Sequence, residues 1–424
     1  MIGYQKTKTS AVDWIGNIPK HWDIQRLRSS TKLITEKASK RDNPIALENI
    51  ESWTGRLIKT ETEFEGDGIA FNAGDILFGK LRPYLAKAYL ADLTGEAVGD
   101  LLVLRPEKDT NSKFTQYQIL NREFISIVNS STFGSKMPRT SWDFMGNMLV
   151  TAPPIDEQEK IVNFLDRETS KIDELIQKQE KLIELSIEKR QAVISHAVTK
   201  GINIDAESKE SGIEWIGNIP KHWQIGGLTK FIGPVVDYRG KTPTKTHEGM
   251  FLVTARNIKN GKINYSASEE FVDAASAESL LARGRPEIGD ILFTMEAPLG
   301  EVAMIDRVDI ALAQRLVKFR GLKNISSNKF LLYWLMSNFC QARLSTLATG
   351  STALGIKSSK LGQIECLLPP YDEQLSIVSY LDAKLSKIDI LAIKTCASIK
   401  LLKERRSSLI SAAVTGKIDV REVA

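Results

Sequence analysis

Two long stretches of the chain carry apolar residues at helical spacing. From Asp156 to Thr199, Ile161, Leu165, Ile172, Leu175, Ile176, Leu182, Ile183, Ile187, Val193, Ile194 and Ala197 recur with charged residues between them. That period predicts one continuous helix with a single apolar stripe. Pro153-Pro154 disfavour helix before it, Asp156 and Glu159 have capping-box spacing, and Gly201 is a natural stop. From Asp372 to Thr415 the pattern recurs through Ile377, Leu381, Leu385, Ile388, Leu391, Leu402, Leu409, Ile410 and Val414 to Gly416, with Leu375 in place of the capping-box Glu. Each helix spans about 65 Å at 1.5 Å per residue. A single stripe of that length needs a partner, and each stripe supplies one for the other, so an antiparallel coiled coil is expected. The stretches between read as mixed α/β. Gly74 to Phe78 (GDILF), Leu101 to Arg105 and Leu316 to Arg320 predict strands. Thr115 to Val128 and Lys329 to Leu347 each predict one helix.

The chain is written twice. Asp13–Trp22 (DWIGNIPKHW) and Glu214–Trp223 (EWIGNIPKHW) agree at nine of ten positions, 201 residues apart. Pro153–Glu174 and Pro369–Ile390 agree at 13 of 22, at an offset of 216. The same offset carries Glu188, Arg190, Ile194, Ser195, Ala197, Val198 and Thr199 onto Glu404, Arg406, Ile410, Ser411, Ala413, Val414 and Thr415. GDILF returns at Gly289 to Phe293, offset 215, so the second copy gains about 14 residues between Trp223 and Gly289. The repeat ends are nearly identical, whereas residues 23–150 and 224–367 agree only in scattered positions. A common frame carrying two diverged modules implies one task performed on two targets.

Composition narrows the class. The chain has 424 residues, enough for two or three domains, with 42% hydrophobic and 26% charged residues, as in soluble proteins. No apolar run reaches membrane-spanning length and Met1 to Ser10 lacks a signal-peptide core, so a cytoplasmic protein is expected. Cys340, Cys366 and Cys396 are far apart and only four histidines are present, which argues against a zinc site or a disulfide framework. A formal net charge of +5 permits a polyanionic partner without requiring one.

Catalytic signals are weak. Leu368-Pro-Pro-Tyr371 resembles the N-P-P-Y signature of amino-methyltransferases, but leucine cannot accept a hydrogen bond from the target amine, and the first copy reads Ala152-Pro-Pro-Ile155. A phosphate-binding G-x-x-x-x-G-K-[ST] loop is missing. His21 and His222 sit inside the repeated IPKHW and read as structural. What remains is a set of basic loops. They hold Lys80, Arg82, Lys136 and Arg139 in the first module, and Arg239, Lys241, Arg256, Asn257, Arg315 and Lys357 in the second. Arg and Lys pair with phosphates or with guanine, and Asn with adenine, so these ten are the candidate DNA contacts.

The doubled WIGxIPxHW, the GDILFGKLRPYL stretch, VVDYRGKTP, KMPRTSW and the doubled PPxxEQxxIxxxLD together resemble the specificity subunits of type I restriction–modification enzymes. The likeness runs through essentially the whole chain. It implies two α/β target recognition domains, 1–152 and 202–368, separated by long antiparallel helices 153–201 and 369–416, with a tail at 417–424. It implies that each domain reads one half of a split duplex DNA site, with the helices as a spacer ruler. Two methyltransferase (modification) subunits and motor–nuclease (restriction) subunits are the implied partners. S-adenosylmethionine, ATP and magnesium would be theirs, leaving this chain non-catalytic and without a cofactor. The family's circular repeat also accounts for residues 201–213, whose counterpart is split between Gly416–Ala424 and Met1–Val12. Alternatives are a specificity subunit of another restriction class, a fused methyltransferase–nuclease, or a coiled-coil scaffold that does not bind DNA.

Overall fold

A computed structural model describes residues 3–38, 42–58, 60, 68–134, 136–238, 240, 243–350 and 354–421. The elements used below are, in chain order, β1 (Thr31–Ile34), β2 (Ile76–Gly79), β3 (Ala88–Leu90), β4 (Leu101–Pro106), α1 (Ser112–Ile119), α2 (Arg122–Ser130), α3 (Ile155–Lys200), β5 (Val236–Asp237), α4 (Ala274–Leu281), β6 (Ile291–Met295), β7 (Leu299–Met304), β8 (Leu316–Phe319), α5 (Asn328–Met336), α6 (Asn338–Leu347) and α7 (Tyr371–Val414). The chain forms two compact units, Met1–Glu180 with Cys396–Ala424, and Lys181–Thr395. The division falls inside both long helices rather than at their ends, because each unit takes one module together with a segment of α3 and a segment of α7.

In the first unit β1, β4, β2 and β3 form an antiparallel sheet in that order, with Leu101 opposite Gly79 and Ile76 opposite Leu90. The apolar run of GDILF is buried on both faces, and alternation sorts it into two cores. Ile76, Phe78 and Leu104 pack with Ile119, Phe124 and Val128 of α1 and α2. Leu77, Leu101 and Val103 pack with Ile45, Phe71 and Ala97 of a small three-stranded sheet. The second unit repeats the plan with β5, β8, β6 and β7. Ile291, Phe293 and Phe319 face α5 and α6, whereas Leu292 and Leu316 face Val253 and Leu312 of a four-stranded sheet. Strands Lys245–Thr246 and Phe271–Val272 and helix α4 lie within the stretch where the second copy is longer.

The Gly-Asp of GDILF builds the turn into the strand. Gly74 and Gly289 take left-handed backbones, φ +91° and +86°, at little steric cost to glycine. Asp75 is buried; it accepts from the Asn72 backbone at 2.8 Å and from two nitrogens of Arg105 at 2.7 Å. Asp290 accepts from the Glu287 backbone at 3.0 Å, Lys318 at 2.7 Å and Arg320 at 2.8 Å.

The single helices expected over 115–128 and 329–347 are each two. Asn121 accepts from the backbones of Glu123 and Phe124, and Ser337 from Cys340, so each residue caps a new helix where periodicity alone implied continuity. Each break rests on a repeated serine of a long helix. Asn121 donates to Ser411 at 3.3 Å, and the Asn338 backbone to Ser195 at 2.9 Å.

The long helices match their expected bounds to one residue. Helix α3 starts at Ile155, however, and the Pro154 carbonyl accepts from Glu157 and Gln158 at 2.9 Å, so Asp156 sits in the first turn and does not cap. Within the first unit Ile161 and Leu165 pack with Ile410, Ala413 and Val414, while Asp173 pairs with Arg406 at 2.9 Å. In the second, Ile194, Ala197 and Val198 pack with Ile377, Leu381 and Leu385, while Arg190 pairs with Asp389 at 2.5 Å. Numbers rise on one helix as they fall on the other, so the segments are antiparallel in both units. Leu175, Ile187 and Leu391 were expected on the buried stripe but are exposed. A 3.6-residue period drifts about 20° per heptad, which carries them off it.

Both chain ends lie in the first unit. Val420 is buried with Tyr4, Ile15, Ile18 and Trp22, and Arg421 stacks on the Tyr4 ring at 4.9 Å. Gly416 and Gly201 end the helices with φ +68° and +75°; a Cβ would strike Pro19 and Trp22 at the first and approach Trp223 at the second. The same frame is thus closed once by two segments far apart in sequence, around Tyr4 and Val420, and once by a continuous segment.

Replacing Asp290 with Ala should cost the second unit about 3 kcal/mol, because it strands the largely buried Lys318 ammonium. Chemical denaturation followed in that unit checks this, and a loss below about 1 kcal/mol would contradict it.

Candidate nucleic-acid interface

The repeated motifs meet at the first turn of each long helix. Glu157, only 3% exposed, accepts from His21 Nε2 at 2.7 Å and from the Tyr4 hydroxyl. Gln158 accepts from the Asn111 backbone at 2.9 Å and donates to the Pro153 carbonyl at 2.9 Å. In the second copy Glu373 accepts from His222 Nε2 at 2.7 Å and Trp223 Nε1 at 3.1 Å. Gln374 accepts from the Ser327 backbone and donates to the Pro369 and Ile325 carbonyls, all at 2.8 Å. The histidines therefore hold the frame. Tyr4 takes the carboxylate oxygen that Trp223 takes in the other copy, so the buried Trp22 Nε1 has no partner among the described residues. Burial, reinforced by Glu157, raises the Tyr4 hydroxyl well above the usual phenol range and keeps it a neutral donor.

A second repeated contact binds each module to its helix. Tyr117 donates to Asp166 and Tyr333 to Asp382, both at 2.6 Å, with Lys113 and Lys329 beside the same carboxylates. Burial, followed by these carboxylates, raises both tyrosines above their ordinary range.

In the first module all four candidate residues come together. The segments around Lys80–Arg82 and Phe133–Thr140 are joined by backbone bonds from Arg82 to Pro138 (2.8 Å) and Thr140 to Lys80 (3.0 Å). Arg139 grips Asp100 with two nitrogens at 3.1 and 2.9 Å, and Lys80 approaches the same carboxylate at 3.7 Å. The Arg139 guanidinium holds the Asp100 carboxyl below the usual carboxylate range. Arg139 therefore braces the loop pair, while Arg82 and Lys136 stand exposed, with no ion pair among the described residues. Arg82 takes a left-handed backbone, φ +51°.

The second module gathers fewer. Arg315 is exposed and pairs with Glu296 at 3.1 Å, and Arg256 and Lys357 are exposed. Asn257 is not available to DNA. It is fully buried, accepts from the Thr254 backbone at 2.9 Å and donates to the Asn264 and Ser268 carbonyls at 3.0 and 2.8 Å. Asn49 does the same for Ala46 in the first module. The shared Asn-Ile of Asn49-Ile50 and Asn257-Ile258 was the signal for this turn. Arg239 and Lys241 lie outside the described residues. The first module's loop pair also exposes apolar groups that carry no charge signature in the sequence, namely Tyr84, Phe133 and Met137.

The family model of the type I restriction modification DNA specificity domain matches residues 32–185 and 229–401, one match per module. The chain belongs to this family. Its two modules are DNA specificity domains, joined by α3. The MjaVIII specificity subunit of a type I restriction enzyme from Methanocaldococcus jannaschii is 24% identical over 96% of this chain and 95% of its own. A chain from a structure describing assembly and conformational transition of the type I R-M system shares the fold, with TM-score 0.73, 18% identity and coverage of 95% of this chain and 99% of that one. The crystal structure of an HsdS subunit from Thermoanaerobacter tengcongensis superposes with TM-score 0.52, also at 18% identity, over 95% and 98%.

Replacing Glu373 with Ala leaves the His222 and Trp223 donors unanswered in the second specificity domain. A loss of about 2 kcal/mol in thermal unfolding is expected, with less than half of it for Glu373→Gln, which keeps an acceptor. Equal losses for both variants would contradict the clamp.

Proposed function

We propose that this chain is the DNA-reading subunit of a type I restriction–modification complex, each specificity domain reading one part of a two-part duplex site. The observation that carries the reading is the doubled specificity domain on a repeated frame, with a braced basic loop pair in the first copy. In this reading the chain is non-catalytic. Its repeated His, Glu and Gln side chains are committed to hydrogen bonds within the frame. Adenine methylation and cleavage then fall to two modification subunits and to restriction subunits, which supply S-adenosylmethionine, ATP and magnesium. The working compartment is the cytoplasm, where the DNA lies.

Affinity and selectivity have separate physical sources here. Arg82, Lys136, Arg256 and Lys357 contact phosphates or base edges. Each phosphate contact releases counterions, so binding weakens with salt at a slope of about 0.9 per contact. Base edges in the major groove set which sequence is accepted. Arg82→Ala or Lys136→Ala should each reduce the salt slope by about 1 and lower affinity evenly across sequences, as read by titrating the complex on duplex DNA.

Co-expression with the modification subunit, followed by genome-wide mapping of methylated adenine, tests the function. A new motif of two fixed parts around an unread gap is expected. A stable complex that adds no methylated motif would contradict the proposal.

A further inference from the structure

The loop pair of the first specificity domain is basic and also apolar at its tip. Residues 79–86 and 133–140 contain four cationic side chains and no acidic one. Asp100 is held by Arg139, and Arg82 and Lys136 have no ion pair among the described residues. Phe133, 64% exposed, and Met137, 47% exposed, lie on the same loop as Lys136. These are large apolar groups on a loop whose base is pinned, since Phe133 and Arg139 exchange backbone hydrogen bonds at 3.2 and 3.1 Å. Grouped exposed apolar side chains mark a surface that something covers. Here the surrounding charge selects a polyanion, and among polyanions duplex DNA offers apolar atoms, the thymine methyl groups, along its major groove. The corresponding loop of the second domain differs, with Glu296 paired to Arg315.

We propose that Phe133 and Met137 make apolar base contacts for the first specificity domain, with Arg82 and Lys136 on flanking phosphates. This rests on the chain being a DNA-reading subunit, and it adds which residues select the base. An apolar contact selects without salt dependence, so the two kinds of residue separate experimentally. The cations set how tightly any DNA is held, and the apolar pair sets which base step is accepted.

The test uses the complex with its modification subunit. Wild type, the Phe133→Ala/Met137→Ala double variant, Phe133→Leu and the Arg82→Ala/Lys136→Ala double variant are compared by methylated-adenine mapping. Competition titrations against duplexes with single base changes give a second readout, which works even for a variant too weak to methylate. The apolar double variant should lose about tenfold discrimination at one or two positions of one half of the motif. Its other half and its salt slope should be unchanged. Phe133→Leu should keep the motif, and the cation variant should keep it at lower occupancy. Unaltered discrimination in the apolar double variant, or a changed motif in the cation variant, would overturn the assignment. A wild-type complex without any methylated motif would instead count against the function itself, so the two failures are distinguishable.

Discussion

Each long helix opens with a Glu–Gln pair whose four polar side-chain atoms are all hydrogen-bonded. The glutamate takes the histidine of the repeated WIGNIPKHW and a second donor, and the glutamine takes a backbone N–H at the start of the module's own helices. Glu157, Gln158 and Gln374 are buried and Glu373 partly so, and leaving a buried one unpaired would cost more than making the bond gains. The frame therefore specifies one geometry at each helix start. The modules diverge while PPxDEQ and WIGNIPKHW do not, because the two motifs are halves of one contact.

The two copies satisfy this constraint by different chemistry. In the second unit Trp223 donates to the glutamate, and a continuous segment runs on from Gly201. In the first unit Tyr4 takes that position, and the segment after Gly416 packs beside the residues near the chain start. The fold treats Gly416–Arg421 with Gly3–Thr9 as the counterpart of one unbroken strand of chain. A glycine bend ends both helices, with Trp22 against Gly416 and the equivalent Trp223 against Gly201.

Much of this was legible in the sequence. The repeat, the strands and the bounds of the long helices follow from period and identity, because a fully buried strand and an amphipathic helix each leave a regular trace. The antiparallel contact of α3 and α7 within each unit follows from the matching stripes. Other features left no such trace. Asn257 and an Asn facing adenine are the same residue type, and only burial separates them. The breaks at Asn121 and Ser337 depend on caps whose effect is decided by the serines of the long helices. Leu175, Ile187 and Leu391 keep the composition of the stripe but drift from its face. Phe133 and Met137 carry no charge and no period, and an apolar residue in a loop is informative only once it is known to be exposed.

If the two specificity domains read DNA independently of each other, exchanging one of them exchanges one part of the target and leaves the other. Residues 224–367 can be replaced by the corresponding module of another family member, and methylated adenine mapped in cells that also carry the modification subunit. One part of the recognised motif should change to that of the donor, while the other part stays as it was. Loss or change of both parts in a complex that still assembles would contradict it.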